Sequence, residues 1–375
     1  MLKTFFPYSF CFLFVFSLIF CGSSVSAQNG KSTGSSPLET IRLFEKTGDL
    51  SKTPVITCLD ISGDGKLLAV GGDDRIVRIW NFEMKKFVWE SQPYDDWVRG
   101  LCFNFDHSLL VTAAQSGQIC LWSVSSAEES TRLLQTLEIP QGVQKIVFNP
   151  KENQFAVCGF EKAVRVFEVN NQLIIQQKQQ LETPATANRS ISYSPDGKFL
   201  VTGGRNGVVR LWQTDADWKY TDIENVDKRR INALAFSPGS SELAVGGDGP
   251  FITLWDTKTK KQLETSLNRD YGKTFSLAFC SENILASGES DNVIRIWDIK
   301  KAETIGEYAG HQGTIASMIC TDDSASNVRL ISGSFDTTIR FWNVDVAGIE
   351  KIEKTVSEKT AALPAFSIPE LPVAK

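Results

Sequence analysis

One unit recurs seven times along this chain of 375 residues. Each copy ends an apolar run in the order β-branched, polar, aliphatic, aromatic: Val77-Arg78-Ile79-Trp80, Ile119-Cys120-Leu121-Trp122, Val164-Arg165-Val166-Phe167, Val209-Arg210-Leu211-Trp212, Ile252-Thr253-Leu254-Trp255, Ile294-Arg295-Ile296-Trp297 and Ile339-Arg340-Phe341-Trp342. The aromatic residues lie 42, 45, 45, 43, 42 and 45 residues apart. A fixed period in this range means stacked copies of one supersecondary unit, and it overrides any domain count taken from length. Upstream of each ending is a second apolar run that finishes in small residues, such as Leu68-Ala69-Val70-Gly71-Gly72 or Leu200-Val201-Thr202-Gly203-Gly204. A turn precedes that run, clearest as Ser194-Pro195-Asp196-Gly197-Lys198, and before the turn comes another strand such as Ala233-Leu234-Ala235-Phe236. A fourth, variable strand follows the aromatic residue, as in Val88-Trp89-Glu90 or Leu263-Glu264-Thr265.

Strands that are apolar on nearly every residue belong to sheets covered on both faces. Seven such sheets satisfy this by standing face to face around an axis, which also shields their edges. The expected fold is all-β: a closed ring of seven four-stranded antiparallel sheets. The last unit ends near Val346 without a fourth strand of its own. Residues 39–45, Glu39-Thr40-Ile41-Arg42-Leu43-Phe44-Glu45, resemble the fourth strand of unit six, Glu303-Thr304-Ile305-Gly306-Glu307-Tyr308. They are expected to close the ring against the third strand of unit seven; residues 349–356 are the rival. The ring then covers residues 38–346, with a linker at 28–37. A tail at 347–375, carrying Pro364, Pro369 and Pro372, reads as disordered.

Lys3 precedes an apolar run from Phe5 to Phe20, and Val25, Ser26 and Ala27 follow. This pattern reads as a signal peptide, residues 1–27, cleaved after Ala27 and delivering an exported protein to the periplasm or the extracellular space. An uncleaved anchor and a lipoprotein attached at Cys21 are the alternatives; bulky Phe20 argues against the second. Beyond this segment lie Cys58, Cys102, Cys120, Cys158, Cys280 and Cys320, without metal-like spacing. Most fall in or beside strands and read as small buried hydrophobes rather than disulfide partners.

The units resemble the WD-repeat family of β-propellers over residues 38–346. Gly310-His311, Asp336 and Trp342 match the family signature in one repeat, and Trp255-Asp256 and Trp297-Asp298 carry its dipeptide in two others. The resemblance implies a seven-bladed propeller and, in the last repeat, a hydrogen-bonded tetrad of His311, Ser332, Asp336 and Trp342. Other repeats depart from the pattern: none has the histidine, Phe167 replaces Trp in the third, and Gly249 replaces the turn acid in the fifth.

Nine Trp against two His leave little for histidine chemistry, and no phosphate loop, nucleophile elbow or zinc motif occurs. His311 reads as structural and His107 as a solvated turn residue. Asn188-Arg189-Ser190 has the form of a glycosylation sequon. A formal charge of −5 argues against nucleic acid as a partner. No catalytic residue, metal site or cofactor is expected. The resemblance implies a monomeric, non-enzymatic platform for protein partners. The rival is an exported propeller hydrolase or lactonase, which needs acids or histidines converging on one end of the channel. The turn residues pointing there are Asp73, Gln115, Phe160, Arg205, Asp248, Ser290 and Phe335, which suit recognition better than metal binding. Trp97 is the single aromatic at a first-strand entry, where other repeats have Val55, Gly142, Ala187, Arg230, Lys273 and Thr314. With Asp73, Gln115 and Phe335 it forms the expected partner-binding patch across units seven, one and two; Phe160, Arg205 and Asp248 extend that face.

Overall fold

A computed structural model of the chain describes residues 36–43, 54–125, 130–224, 228–269, 272–324 and 327–346. They form seven four-stranded antiparallel sheets. Within each blade the strands are named A to D from the inside outwards. The A strands are Ile56–Ile61, Val98–Phe103, Val143–Phe148, Asn188–Tyr193, Ile231–Phe236, Thr274–Phe279 and Ile315–Ser324. Each packs against the A strand of the next blade, and the last packs against the first, so the ring is closed around a central channel.

The small residues that end each B strand make this contact. A Cβ added to Gly71, Gly203, Gly288 or Gly333 would stand 2.6 to 2.7 Å from Val98, Ile231, Ile315 or Ile56 in the next blade. Glycine there and a β-branched residue opposite let neighbouring sheets meet at the inner edge. Gly333 against Ile56 is that contact between blades 7 and 1.

Closure at the outer edge of blade 7 comes from the N-terminal strand. Glu39–Arg42 runs antiparallel to strand C of blade 7, Thr338–Val344, with Ile41 opposite Ile339. The rival segment, residues 349–356, lies outside the described residues, as do the segments read as signal peptide and tail and all of the linker but its last two residues.

Two cysteines depart from expectation. Cys280 and Cys320 form a disulfide joining blades 6 and 7, with their Cα atoms 5.2 Å apart. Cys280 directly follows strand A of blade 6 and Cys320 lies within strand A of blade 7, a neighbourhood that ring packing creates and sequence separation hides. Cys58, Cys102, Cys120 and Cys158 are buried free thiols. Burial pushes Cys58 and Cys158 up to about 12, which keeps them protonated and unreactive.

Candidate protein-interaction face

The D–A loops and B–C turns share one end of the ring, and the last blade shows what holds them. Trp342 Nε1 donates to Ser332 Oγ at 2.8 Å, and Ser332 Oγ lies 2.7 Å from His311 Nε2. His311 Nδ1 lies 2.9 Å from Asp336 Oδ2. A carboxylate only accepts, so the histidine proton sits on Nδ1 and Ser332 donates to Nε2. The Gln312 amide and the Thr338 hydroxyl complete the coordination of Asp336. His311 is thus a structural strut, 6% exposed.

Other blades solve the same problem with different groups. In blade 2, buried Tyr94 takes the histidine's place: its hydroxyl meets Thr112 Oγ1, which also accepts from Trp122 Nε1 at 3.0 Å. Tyr94 stands three residues before Trp97, the same offset by which His311 precedes Thr314; this count would have revealed it. In blade 6, Trp297 Nε1 donates to Ser287 Oγ at 2.9 Å, and Ser287 donates to Glu289 Oε1 at 2.9 Å. Arg295 then bridges Glu289 and Asp291 at 2.6 and 2.7 Å. In blade 5, Arg269 donates to the carbonyl of Gly249, the residue that replaced the turn acid.

Glu289 is fully buried, and burial outweighs the pull of Arg295, moving its pKa from the ordinary 4.5 up to about 6. A carboxyl raised on folding binds its proton more tightly in the folded state. Its stabilising protonation is complete below about pH 4.5 and is lost as pH rises through about 6. Denaturant titrations should therefore show Glu289→Gln losing a gain of about 1–2 kcal/mol that the parent makes between pH 7 and pH 5. Parallel pH profiles for the two proteins would refute this assignment.

At the start of every A strand the register with strand B slips by one residue. Such bulges re-aim side chains. The displaced residues are Thr57, Arg99, Gln144, Arg189, Asn232, Phe275 and Ala316, and all seven line one cavity of about 190 Å³ at the channel mouth. Residue pattern alone does not mark them, because a bulge is a property of strand pairing.

The residues expected to bind a partner divide into two groups. Trp97 is 41% exposed, and the Arg99 guanidinium lies 4.6 Å from its ring centroid. Arg99 Nε donates to Gln115 Oε1 at 2.8 Å, so Trp97, Arg99 and Gln115 form one cluster. Phe335, 42% exposed, lines the same cavity as Arg99. Asp73 adds charge beside Arg99, but its carboxylate is turned back to accept from the Val55 amide at 2.8 Å. Phe160, Arg205 and Asp248 stand apart, on blades 3, 4 and 5. Phe160 is exposed over Gly142, and Asp248 is engaged by Asn232 at 3.0 Å and by Lys273 at 3.6 Å. Arg205 flanks a second, cationic depression with Arg230 and Lys273.

Two further expectations change. His107 Nδ1 accepts from the Gly63 amide at 2.9 Å and so joins the A–B turns of blades 1 and 2. Asn188 is 1% exposed and donates to Glu161 O and Thr183 Oγ1. A glycan on that nitrogen would replace one of its two hydrogens and so cost at least one of these bonds. Among the described residues no three His, Cys, Asp or Glu side chains are placed to hold a metal ion. No helix among them is long and apolar enough to cross a membrane.

The family model for "WD domain, G-beta repeat" matches residues 43–81, 86–123, 182–213, 270–298 and 302–343. The stretches it passes over, 124–181 and 214–269, contain the repeats in which Phe167 and Gly249 break the signature, although both build complete blades. Protein HIR1 of Eremothecium gossypii is 28% identical over 199 residues, 46% of this chain and 24% of that protein. Nuclear distribution protein nudF of Aspergillus niger is 22% identical over 333 residues, 87% of this chain and 67% of that protein. Small ribosomal subunit protein RACK1y of Oryza sativa subsp. japonica is 24% identical over 148 residues, 38% of this chain and 42% of that protein. The chain spans a fifth to a quarter of the length of the HIR1 relatives it matches. These relatives are intracellular eukaryotic proteins, and that overturns the expectation of export after cleavage behind Ala27.

Proposed function

Because the chain belongs to the WD-repeat β-propellers, we propose that it is a non-enzymatic platform whose loop end holds a protein partner. The observation that carries this reading is the exposure of Trp97 and Phe335 at the channel mouth, in a molecule that buries Trp212, Trp297 and Trp342 almost completely. Large exposed aromatics set in a polar rim are where interface energy concentrates. Phe160 and Phe251 stand out on the same end and extend the surface. The relatives support the reading by name, since a small ribosomal subunit protein is part of a larger assembly. The ring closes within one chain, so the platform needs no second copy to complete its fold.

The test is quantitative capture of a crosslinked partner from the protein's own cells by the parent and by Trp97→Ala and Phe335→Ala. Each substitution should weaken capture by about 30-fold, corresponding to ~2 kcal/mol per anchor, with the thermal midpoint nearly unchanged. If both variants lose stability and keep the partner, the aromatics are packing residues and the docking surface lies elsewhere.

A further inference from the structure

We propose that the channel mouth is an oxyanion site that receives the acidic side chains of a peptide segment of the partner. This rests on the platform reading above and adds the chemistry of what the platform holds. The bulges of blades 2 and 4 turn Arg99 and Arg189 into the mouth, with Gln144 beside them as a neutral donor, while Asn232 donates to Asp248 and to the Thr274 carbonyl. Among the described residues Arg189 makes no hydrogen bond and no ion pair, although it is half-buried. The charges that act most on it are the cations Arg230, Arg99 and Arg205, with Asp248 opposing them. Burial first, and then these cations, hold its pKa down. Arg230, in the adjoining cationic depression and close enough to act on Arg189, adds a second unsatisfied group: its Nε is buried without a hydrogen-bond partner.

A half-buried guanidinium crowded by like charge and given no acceptor by the described residues is unfavourable. A carboxylate entering the mouth relieves both problems, because it accepts in the planar fork geometry that arginine presents. The contrast with the whole molecule sharpens the point, since the chain is acidic overall, with a formal charge of −5. The net charge disfavours long polyanions such as nucleic acid, while a focused cationic mouth favours a short acidic peptide. The size fits as well. A cavity of about 190 Å³ is smaller than the ~300–1,000 Å³ of small-molecule pockets and suits individual side chains. Trp97 and Phe335 at its rim offer apolar contact to a peptide backbone, which a free ion cannot use.

The experiment is fluorescence anisotropy of a labelled octaglutamate peptide, with octaglutamine as the uncharged control. The peptide should bind the parent protein, and octaglutamine should not. Arg189→Gln and, separately, Arg230→Gln should each raise the Kd about tenfold and flatten its salt dependence, with the thermal midpoint retained. Lys198→Gln, in an A–B turn at the opposite end of the ring, should bind like the parent. Equal binding of octaglutamate by both arginine variants overturns the inference while leaving the platform reading to its own aromatic test. Displacement of the peptide by inorganic phosphate at equal concentration overturns it too, by assigning the mouth to a free anion.

Discussion

A chain begun at Thr47 is expected to lose several kcal/mol of stability and to unfold without a single cooperative transition. It lacks Glu39–Arg42, and with it the outermost strand of blade 7. Ile41 and Leu43 leave a cluster shared with Ile339, Phe341, Ile56 and Val70, which draws together blades 7 and 1. Burying each such side chain contributes about 1.5–3 kcal/mol. Phe341 O also loses the Leu38 amide that donates to it at 2.7 Å, and Thr338–Val344 becomes an open edge ready to pair with another molecule. Urea titrations followed by tryptophan fluorescence and by circular dichroism should therefore separate, and light scattering should rise. An unchanged midpoint and slope would show that the strand contributes nothing to closure.

His311→Ala should cost about 3 kcal/mol, the second largest effect. Removing the ring leaves Ser332 and Asp336 without their central partner in a buried site, where Ser332 is 0% exposed. Burial pushes the Asp336 carboxyl up, but hydrogen bonds from His311, Thr338 and the Gln312 amide outweigh it and hold it far below the usual carboxylate range. A carboxyl depressed on folding stabilises the protein above its unfolded pKa, near pH 4, and that contribution is lost as pH falls through the folded value. The variant should accordingly show both a lower midpoint at pH 7 and a shallower loss of stability in acid. A midpoint within error of the parent at both pH values would mean that the tetrad does no structural work.

The two outcomes rest on features of different legibility. Strand periodicity and the 42–45-residue spacing of the aromatic residues reflect contacts within one repeat and between neighbours, so they are written locally in every copy. Closure by Glu39–Arg42 was readable for the same reason, as a segment resembling a fourth strand where one was missing. The repeat pattern does not mark Tyr94, because a phenol and an imidazole share no residue type, only an offset from the strand and a hydroxyl partner, Thr112 for one and Ser332 for the other. Asp73 and Asp248 lay at turn positions facing the right end, yet the backbone and side chains around them claim their carboxylates.

From the sequence alone came the all-β class, the seven blades, their strand order and the end of the ring where the loops gather. All of these follow from short-range alternation of apolar and turn residues, repeated until only a closed ring could cover both faces of every sheet. Tertiary structure decided the Cys280–Cys320 bond, the replacement struts at Tyr94 and Glu289, and the convergence of Arg99 and Arg189 on one cavity. The Glu289 strut is assembled within one turn, and the others depend on residues 18 to 90 positions apart meeting within or across blades. The bulge that aims the two arginines is a slip in strand pairing, and a one-residue slip redirects a side chain without altering the apolar pattern that a sequence displays.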